Sequence, residues 1–234
     1  MESNKLSIVI VTFRSESKIH TCLNSIPKDL SIFVVENSNN SEFKKELEKK
    51  YPNVNCILTG SNRGYAVANN IGLKLVKTKY ALVLSPDATL EKDTIQNFFE
   101  FVNDKNDFWL LGPISGQTNI IKKKQEDFLE VNDLKGFAIF LNVKKFNEEF
   151  FDENFFLYFE EIDLCKRVKK QGGKIYLSNK IVITHEGAGS VEKSNLIEFE
   201  KNRNWHWMWS TFYYHKKHKN FAIALIIVLP KLIS

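Results

Sequence analysis

The sequence has little of what marks secreted, zinc-binding or membrane-spanning proteins. Its 234 residues include only three cysteines, Cys22, Cys56 and Cys165, which lie far apart and form no CxxC pair. This spacing argues against a disulfide framework or a zinc knuckle and predicts a reducing cytoplasm. The first residues enter a strand-like run without the basic region and cleavage site of a signal peptide. The apolar run from Phe221 to Pro230 is too short to cross a bilayer, which takes about 20 residues.

The charge is also low for a protein that binds nucleic acid. Lysine and arginine total 33 and aspartate and glutamate total 28, which leaves a net charge of +5. Nucleic-acid binders usually carry a concentrated basic stripe, so we expect no nucleic-acid partner. A mildly basic chain suits anionic small molecules or an anionic membrane surface. Apolar residues are plentiful, at 43% with 19 phenylalanines, enough for one large domain or a domain with an appended segment.

Strand and helix patterns alternate over the first two thirds of the chain. Continuous apolar runs are typical of strands buried on both faces, and they occur at Leu6–Thr12, Ser31–Glu36, Asn53–Thr59, Tyr80–Ser85 and Gly136–Val143. Stripes with helical spacing separate the first four runs. Repeated β–α–β units predict an α/β fold with a mostly parallel central sheet flanked by helices.

Two stretches are predicted from weaker patterns. The helix that follows Gly64 is predicted to turn four apolar residues inward, namely Val67, Ala68, Ile71 and Leu75. The segment from Gly112 to Asp133 lacks a clear period and is predicted to be a mobile or hairpin insertion.

Polar clusters follow the first four strands. They are Thr12–Arg14, Glu36–Ser38, Ser61–Gly64 and Ser85–Asp87. Because ligands of parallel sheets sit beyond the carboxyl ends of the strands, the four clusters predict one site at one rim of the sheet.

Three acids lie directly behind an aromatic run in FFLYFEEIDLCKRV, residues 155–168. If a helix begins near Glu160, then Glu161 heads its apolar face and points toward the rim. Asp163 lies on the basic face, where a solvated ion pair is worth about 0.3–0.5 kcal/mol, and Glu160 is intermediate. A partly buried carboxylate has a raised pKa, as a general base requires. Glu161 is therefore the candidate base, and the alternative is that all three acids complement the helix N-terminus.

Several of the polar residues also have plain structural interpretations. Asp87 follows a proline and suits a turn, and His185 suits a strand end. Arg63 and Gly64 could be ordinary loop residues. His215 and His218 have the spacing of metal ligands, but their lysine neighbours favour a solvated basic face.

Seven segments, taken in order, resemble family 2 glycosyltransferases with a GT-A fold, and most of all their rhamnosyltransferase-like branch. The segments are SIVIVTFRSESKIHTCLNSI, VVENS, NRGYAVANNIGL, LVLSPDATL, GFAIFLNVKKF, FFDENFFLYFEEIDLCKRV and THEGAGS. Each is weak alone, and their order across residues 6 to 215 is what is specific. The resemblance implies an inverting transfer of a sugar from a nucleotide-diphosphate donor, a UDP- or dTDP-sugar. The implied acceptor is a hydroxyl of a saccharide or lipid-linked molecule in cell-surface polysaccharide synthesis.

The resemblance also implies roles for single residues. Family positions that bind the donor match Thr12, Phe13, Arg14, Glu36, Asn62, Arg63, Gly64, Asn70, Ser85 and Asp87. Asp87 matches the second acid of the family's DxD position, whose first acid is Ser85 here. With His185, which matches a position near the diphosphate, Asp87 is expected to hold Mg²⁺ or Mn²⁺. Glu161 matches the catalytic base. Glu36 and Glu161 both stand where the family more often has aspartate.

Two other functions stay open at this point. A nucleotidyltransferase of the same fold would carry a glycine-rich basic loop after the first strand, and FRSESK is a poor match. A catalytically inactive nucleotide-sugar-binding or scaffold protein would explain Ser85 and the two glutamates that replace aspartates.

The C-terminal residues are predicted to form a separate segment. Residues 1–215 are assigned to the catalytic domain, and 216–234 to a basic, then apolar segment preceded by a helix rich in tryptophan and tyrosine. Such a segment suits a helix lying in a membrane interface, which predicts a protein at the cytoplasmic face of the membrane. The alternative is a helix that packs on the domain's own surface.

Overall fold

The computed structural model of the chain describes residues 3–115, 127–147, 149–186 and 196–232. It confirms the α/β class, with one sheet flanked by helices. The strands are Leu6–Thr12 (β1), Ser31–Glu36 (β2), Val54–Leu58 (β3), Tyr80–Leu84 (β4), Ala88–Leu90 (β5), Leu110–Ser115 (β6), Phe128–Glu130 (β7), Ala138–Asn142 (β8) and Ile175–His185 (β9). The α-helices are Glu16–Ser25 (α1), Ser41–Lys50 (α2), Tyr65–Leu75 (α3), Thr94–Asp104 (α4), Glu160–Lys170 (α5), Leu196–His218 (α6) and Phe221–Leu232 (α7).

The sheet is parallel at one side and mixed at the other. Its order is β3-β2-β1-β4-β8-β6-β9-β5, with β7 paired to β9. The first four strands of the chain are mutually parallel, whereas β8 runs antiparallel to both β4 and β6. The carboxyl ends of β1 to β4 therefore meet at one rim, as the polar clusters predict.

Both faces of the sheet are buried, which explains the unbroken apolar runs. In β1, Ile8 and Ile10 pack in a cluster with residues of α1, α2 and α4. Val9 points the other way, into a cluster with residues of α3 and α5. Because successive side chains of a strand point to opposite faces, both sets of side chains face the core when a strand is covered on both sides. Most positions of such a strand are therefore apolar.

The second half of the sheet departs from the prediction. Strands β5, β6 and β7 are not predicted, and β9 is one long strand instead of a strand followed by a loop. In β6, Gly112 and Pro113 resemble a loop, but the pairing with β9 shifts register between Pro113 and Ile114, and such an irregularity accommodates a proline. Residues 116–126 of the expected insertion, and 187–190 of the last matched segment, lie outside the described residues.

The inward face predicted for α3 is wrong in part. Ala68 is buried, but Leu75 is 38% exposed. The buried positions instead include Asn69 and Asn70. The Asn70 amide faces the chain that precedes α5 and hydrogen-bonds to the backbone of Phe151, so polar contacts replace the expected apolar packing there.

The last two helices lie in sequence after the sheet. α6 runs unbroken through residue 215, so the expected domain boundary falls inside a helix. α7 packs against it, with the Phe212 and Phe221 ring centroids 5.7 Å apart. Among the residues that the structure describes, no helix combines the length and the apolar character that crossing a membrane requires.

Candidate active site

The first rim cluster joins the ends of β1 and β2. Thr12 and Glu36 are register partners, and the Thr12 hydroxyl donates to Glu36 Oε2 at 2.5 Å. The other oxygen of Glu36 accepts from the backbone N–H of Ser38 at 2.8 Å. Glu36 is fully buried, and a buried carboxylate with both oxygens engaged has a fixed orientation. It anchors the loop after β2 against the end of β1.

Asn37, to which the sequence analysis assigns no role of its own, organises the second cluster. Its amide nitrogen donates to Asn62 Oδ1 at 2.9 Å, and its amide oxygen accepts from the backbone N–H of Arg63 at 2.9 Å. Asn62 Oδ1 also accepts from the backbone N–H of Gly64 at 3.1 Å. One buried asparagine thus holds the whole Asn62–Gly64 turn. Its only sequence signal is its place directly after a buried strand.

Gly64 permits a close approach between two chain segments. Its φ is +79°, and a Cβ atom there would lie 2.5 Å from the carbonyl oxygen of Phe156. The same oxygen accepts from the backbone N–H of Tyr65 at 2.7 Å. The first turn of α3 is therefore in direct contact with the segment Phe155–Phe159, which we call the acid loop because it leads into Glu160 and Glu161.

Asp87 and His185 meet at the far side of the rim. The Asp87 Oδ1 and His185 Nε2 atoms are 3.2 Å apart, and the imidazole stacks on Phe137 with ring centroids 4.9 Å apart. Burial raises the pKa of the Asp87 carboxyl, but the hydrogen bond and charge of His185, a backbone hydrogen bond and the charge of Lys18 together lower the pKa overall. Asp87 is thus an ionised carboxylate directly beside an imidazole.

The two glutamates at the start of α5 share one environment. Glu160 is 6% exposed; burial and then the charge of Glu161 raise its pKa from 4.5 to about 8. Burial also raises the pKa of Glu161, and the backbone N–H groups of the helix start offset part of the rise. The raised pKa expected for Glu161 is therefore present, although Glu160 is the more deeply buried of the two.

The solvated ion pair predicted for Asp163 is wrong. Asp163 is fully buried; it accepts from Arg167 Nε at 2.8 Å and lies 2.7 Å from both Lys217 Nζ and His218 Nε2. The basic face expected around His218 is wrong for the same reason, because its side chain is 2% exposed. The periodicity of α5 alone does not reveal that α6 covers this face.

Helix α6 holds the acid loop by contacts with each of its five residues. Phe155 packs edge-on against Tyr213, and Phe156 stacks on His206 at 4.3 Å. The carbonyl of Leu157 accepts from Ser210 at 2.7 Å, and the Tyr158 hydroxyl accepts from Arg203 at 2.6 Å. Phe159 contacts Trp207 and Tyr214.

The end of the acid loop has a strained backbone. Tyr158 and Phe159 both have positive φ, 70° and 69°, a region that residues with a side chain rarely adopt. Two such residues in succession persist only where surrounding contacts fix them, and α6 supplies those contacts. The direction in which Glu160 and Glu161 leave the loop is therefore set by α6.

The remaining predicted donor residues have different surroundings. Phe13 is exposed and Arg14 lies over its ring, 5.4 Å from the centroid. Ser85 donates its backbone N–H to Phe137, and its side chain lies within hydrogen-bond reach of the Tyr65 phenol. Asn70 is apart from the others. Its amide exchanges two hydrogen bonds with the backbone of Phe151, at 2.8 and 3.0 Å, and so holds the chain that leads to the acid loop.

The cation site can be tested by its donor set. Within the described residues, no group of three or more histidine, cysteine, aspartate or glutamate side chains could enclose a metal ion. Asp87 and His185 nevertheless offer one carboxylate oxygen and one imidazole nitrogen side by side. A divalent cation that keeps waters or substrate oxygens as further ligands fits such a pair.

Comparison with known proteins assigns the chain to a family. Residues 7–165 match the model of "Glycosyl transferase family 2". The chain is 23% identical over 193 residues to the low-salt glycan biosynthesis hexosyltransferase Agl10 of Haloferax volcanii, covering 71% of this chain and 62% of that protein. It is 24% identical over 248 residues to the rhamnosyltransferase WbbL of Escherichia coli K12, covering 88% and 91%. The chain thus spans less than two thirds of Agl10.

Solved structures share the fold. The mannosyltransferase PcManGT from Pyrobaculum calidifontis, in complex with GDP-Man and Mn²⁺, aligns with a TM-score of 0.68 at 13% identity, over 96% of this chain and 68% of that one. TarS residues 1–349 from S. aureus, in complex with UDP, aligns with a TM-score of 0.63 at 16% identity, over 96% and 69%. These likenesses confirm the GT-A fold.

Proposed function

The chain belongs to glycosyl transferase family 2, and from that premise we propose that it is an active, inverting glycosyltransferase. Its donor is a nucleotide-diphosphate sugar, a UDP- or dTDP-sugar. Its acceptor is a hydroxyl of a saccharide or lipid-linked molecule in cell-surface polysaccharide synthesis. The proposal is carried by one observation, the convergence of three groups around the carboxyl ends of parallel strands. They are Asp87–His185, the Asn62–Gly64 turn, and Glu160 and Glu161 of α5, which we call the acid pair.

The donor's nucleotide binds at the ends of β1 and β2. Thr12 and Glu36 form the floor, and Phe13 and Arg14 offer an exposed aromatic ring and a guanidinium beside it. The Asn62–Gly64 turn lies next to them and presents Arg63, whose guanidinium can form charge-assisted hydrogen bonds with phosphate. Asn70 contributes indirectly, because its amide holds the backbone of Phe151 in the chain that leads to the acid loop.

The diphosphate lies toward Asp87 and Ser85. Asp87 and His185 would hold Mg²⁺ or Mn²⁺ there, and the similar structure of PcManGT is a complex with GDP-Man and Mn²⁺. When bound, such a cation neutralises charge that develops on the leaving diphosphate. The lowered pKa of Asp87 keeps its carboxylate ionised and able to act as a ligand at neutral pH.

Glu161 is the general base. As the acceptor oxygen forms its bond to the anomeric carbon, the bond from that carbon to the diphosphate oxygen breaks on the opposite face. The acceptor hydroxyl proton passes to Glu161, and the bonding pair leaves with the nucleoside diphosphate. The raised pKa of Glu161 brings its proton affinity closer to that needed at neutral pH.

We propose that the C-terminal helices attach the protein to the cytoplasmic face of a membrane. Among the side chains of α6 and α7 that the structure describes, seven large apolar ones are exposed, and they are Trp205, Trp207, Trp209, Phe221, Leu225, Ile226 and Leu229. Lys216 and Lys219 lie exposed where the two helices join. Aromatic and aliphatic side chains beside lysines suit an interface with anionic lipid headgroups.

The alternative is a catalytically inactive nucleotide-sugar-binding protein, which Ser85 favours because it replaces a family acid. A thermal-shift series with UDP, dTDP, GDP and CDP, each with and without Mn²⁺, tests donor binding first. A nucleotide at 100 times its Kd stabilises the fold by about 2.7 kcal/mol. A shift that needs Mn²⁺ and one base supports the site, and transfer assays with that donor then separate enzyme from binding protein. No shift with any nucleotide contradicts both.

A further inference from the structure

Two buried oxygen atoms near the proposed base have no hydrogen-bond partner among the described residues. They are Asn69 Oδ1 on α3 and Glu160 Oε2 on α5. Asn69 is fully buried and Glu160 is more than nine-tenths buried. Unpaired buried oxygens cost free energy, so two of them close to one site require an explanation.

Tyr65 lies beside both residues. Burial raises the pKa of its phenol, the nearby Glu160 raises it further, and the Asn69 amide is within hydrogen-bond reach of it. The Tyr65 hydroxyl donates to the carbonyl of Gly136 at 3.2 Å. The Asn69 amide nitrogen donates to the backbone carbonyl of Tyr65 at 2.9 Å. Neither of these hydrogen bonds satisfies either unpaired oxygen.

Counting hydrogen-bond donors and acceptors shows what the group of Glu160, Asn69 and Tyr65 lacks. An ionised carboxylate accepts hydrogen bonds and donates none, whereas a protonated one supplies a single O–H donor. A proton on Glu160 would turn one unpaired acceptor into a donor beside Tyr65, the residue that lies one helical turn before Asn69. It would also remove the repulsion between two consecutive carboxylates, because the negative charge would then lie on Glu161 alone.

We propose that Glu160 is a neutral carboxylic acid in the resting protein and a positioning residue for the base. Its O–H donates on the side of α5 that faces Tyr65 and Asn69, which fixes the first turn of α5 and leaves Glu161 as the single anion facing the acceptor. This inference rests on the proposed function for the role of Glu161. The protonation of Glu160 itself does not depend on it.

The titratable groups around Glu160 are few. Tyr65 faces Glu160 from α3, Glu161 follows it on α5, and the charge of Asp133 acts on Glu161 from the chain before β8. The raised pKa of Tyr65 keeps the phenol neutral wherever the carboxyls titrate. On α5, Glu160 and Glu161 are therefore the groups whose raised pKa makes their charge depend on pH here.

The first test needs no catalysis. In the wild type the folded state binds the Glu160 proton more tightly than the unfolded state does. The stability that this proton contributes is therefore fully present below pH 4.5, and it is lost as the pH rises through about 8. The Tm of Glu160→Gln relative to wild type should therefore climb across this pH range and then level off. Infrared difference spectra at neutral pH should show a protonated carboxyl stretch that the variant lacks. A Tm difference that does not change with pH, or an absent carboxyl band, overturns the proposal.

The second test asks whether the donor matters for catalysis. Glu160→Met matches the side chain's length but supplies no donor, and it should lower kcat by at least about tenfold with little change in donor KM. Glu160→Gln can donate through its amide and should recover most of that loss. Wild-type kcat should decline as Glu160 ionises with rising pH, and this decline should be absent in Glu160→Gln. If Glu160→Gln is as slow as Glu160→Met, the proposed donor role is wrong. If no variant or wild type transfers sugar, the proposed function fails while the first test still decides the protonation state.

Discussion

The Asp163 carboxylate lies 2.7 Å from His218 Nε2. This contact joins α5, which carries Glu160 and Glu161, to α6, which holds the acid loop. Lys217 extends the link, because its ammonium contacts both Asp163 and Asp152 at 2.7 Å. Burial lowers the pKa of His218, against the opposing effect of Asp163. A neutral His218 donates from Nε2 to Asp163 and leaves Nδ1 to accept from Lys170.

Asp163→Asn should destabilise the fold strongly. Removing one partner of a buried ion pair costs about 3–5 kcal/mol, because the remaining charges lose their compensation. We expect a loss of about 3 kcal/mol in urea unfolding, since Lys217 keeps Asp152 as a partner. The matched control is Asp104→Asn, whose partner Lys105 is exposed, with an expected change below about 1 kcal/mol. Equal losses in the two variants would mean that the buried network contributes nothing specific.

Glu161→Gln should abolish most of the transfer activity without affecting donor binding. The variant keeps the shape of the side chain but cannot take the acceptor proton, and general base catalysis contributes about 10²–10⁴-fold to a rate. Initial rates and nucleotide thermal shifts should be measured on the same preparation. Glu42→Gln, on the exposed start of α2, is the matched control. Transfer at the wild-type rate by Glu161→Gln would exclude Glu161 as the base.

Gly64→Ala should destabilise the protein far more than Gly60→Ala. Both glycines have similar positive φ values, 79° and 80°, but a Cβ atom at Gly60 meets nothing within 4 Å. At Gly64 the new methyl group collides with the backbone of Phe156, which cannot move without displacing the acid loop. Backbone strain of a non-glycine residue at such a φ costs about 1–3 kcal/mol, and the collision adds to it. The prediction fails if the two variants unfold at the same denaturant concentration.

Asp87→Asn should remove the metal-dependent part of nucleotide binding. We expect the Kd for UDP, or for whichever nucleotide binds, to rise at least about tenfold in Mn²⁺ and to change little in a chelator. Isothermal titration with and without Mn²⁺ measures both values. Asp93→Asn, on an exposed residue nearby in sequence, controls for loss of charge. A Kd in Mn²⁺ that stays at the wild-type value would show that the cation binds elsewhere or not at all.

The exposed residues of α6 and α7 should drive binding to anionic vesicles. Trp205 is 59% exposed and Ile226 is 69% exposed. Replacing either with serine should weaken co-sedimentation with phosphatidylglycerol vesicles by about tenfold, the effect of losing roughly 1.5 kcal/mol of apolar burial. Leu75→Ser, on an exposed apolar residue of α3, is the control. Binding that is insensitive to both substitutions, or equal on neutral vesicles, would contradict a lipid partner.

The strands of the first half of the sheet could be predicted closely from the sequence. β1 and β2 agree residue for residue with the apolar runs, because a strand buried on both faces leaves an unbroken signature. β6 could not be predicted in this way, since Gly112 and Pro113 suggest a loop when the bulge that accommodates them is unknown. The three-residue strands β5 and β7 are too short to show any period.

The acids of α5 show where helix periodicity fails to predict the burial of a side chain. It correctly begins the helix at Glu160, but it assigns Asp163 to solvent because the lysines and the arginine look like a surface. The covering helix α6 lies some fifty residues later in the chain, and no local pattern connects the two. The burial of Asn70 is hidden for the same reason, since its partner Phe151 comes from a distant segment.

The contacts of α6 with the acid loop also set the order in which the protein can mature. The loop leaves the ribosome well before α6, and its two strained residues have nothing to hold them until that helix arrives. A nascent chain can therefore build the sheet, with its Thr12–Glu36 contact, while Glu160 and Glu161 are still without a fixed direction. Chains in which α6 has not yet been synthesised lack the contacts that orient these two acids.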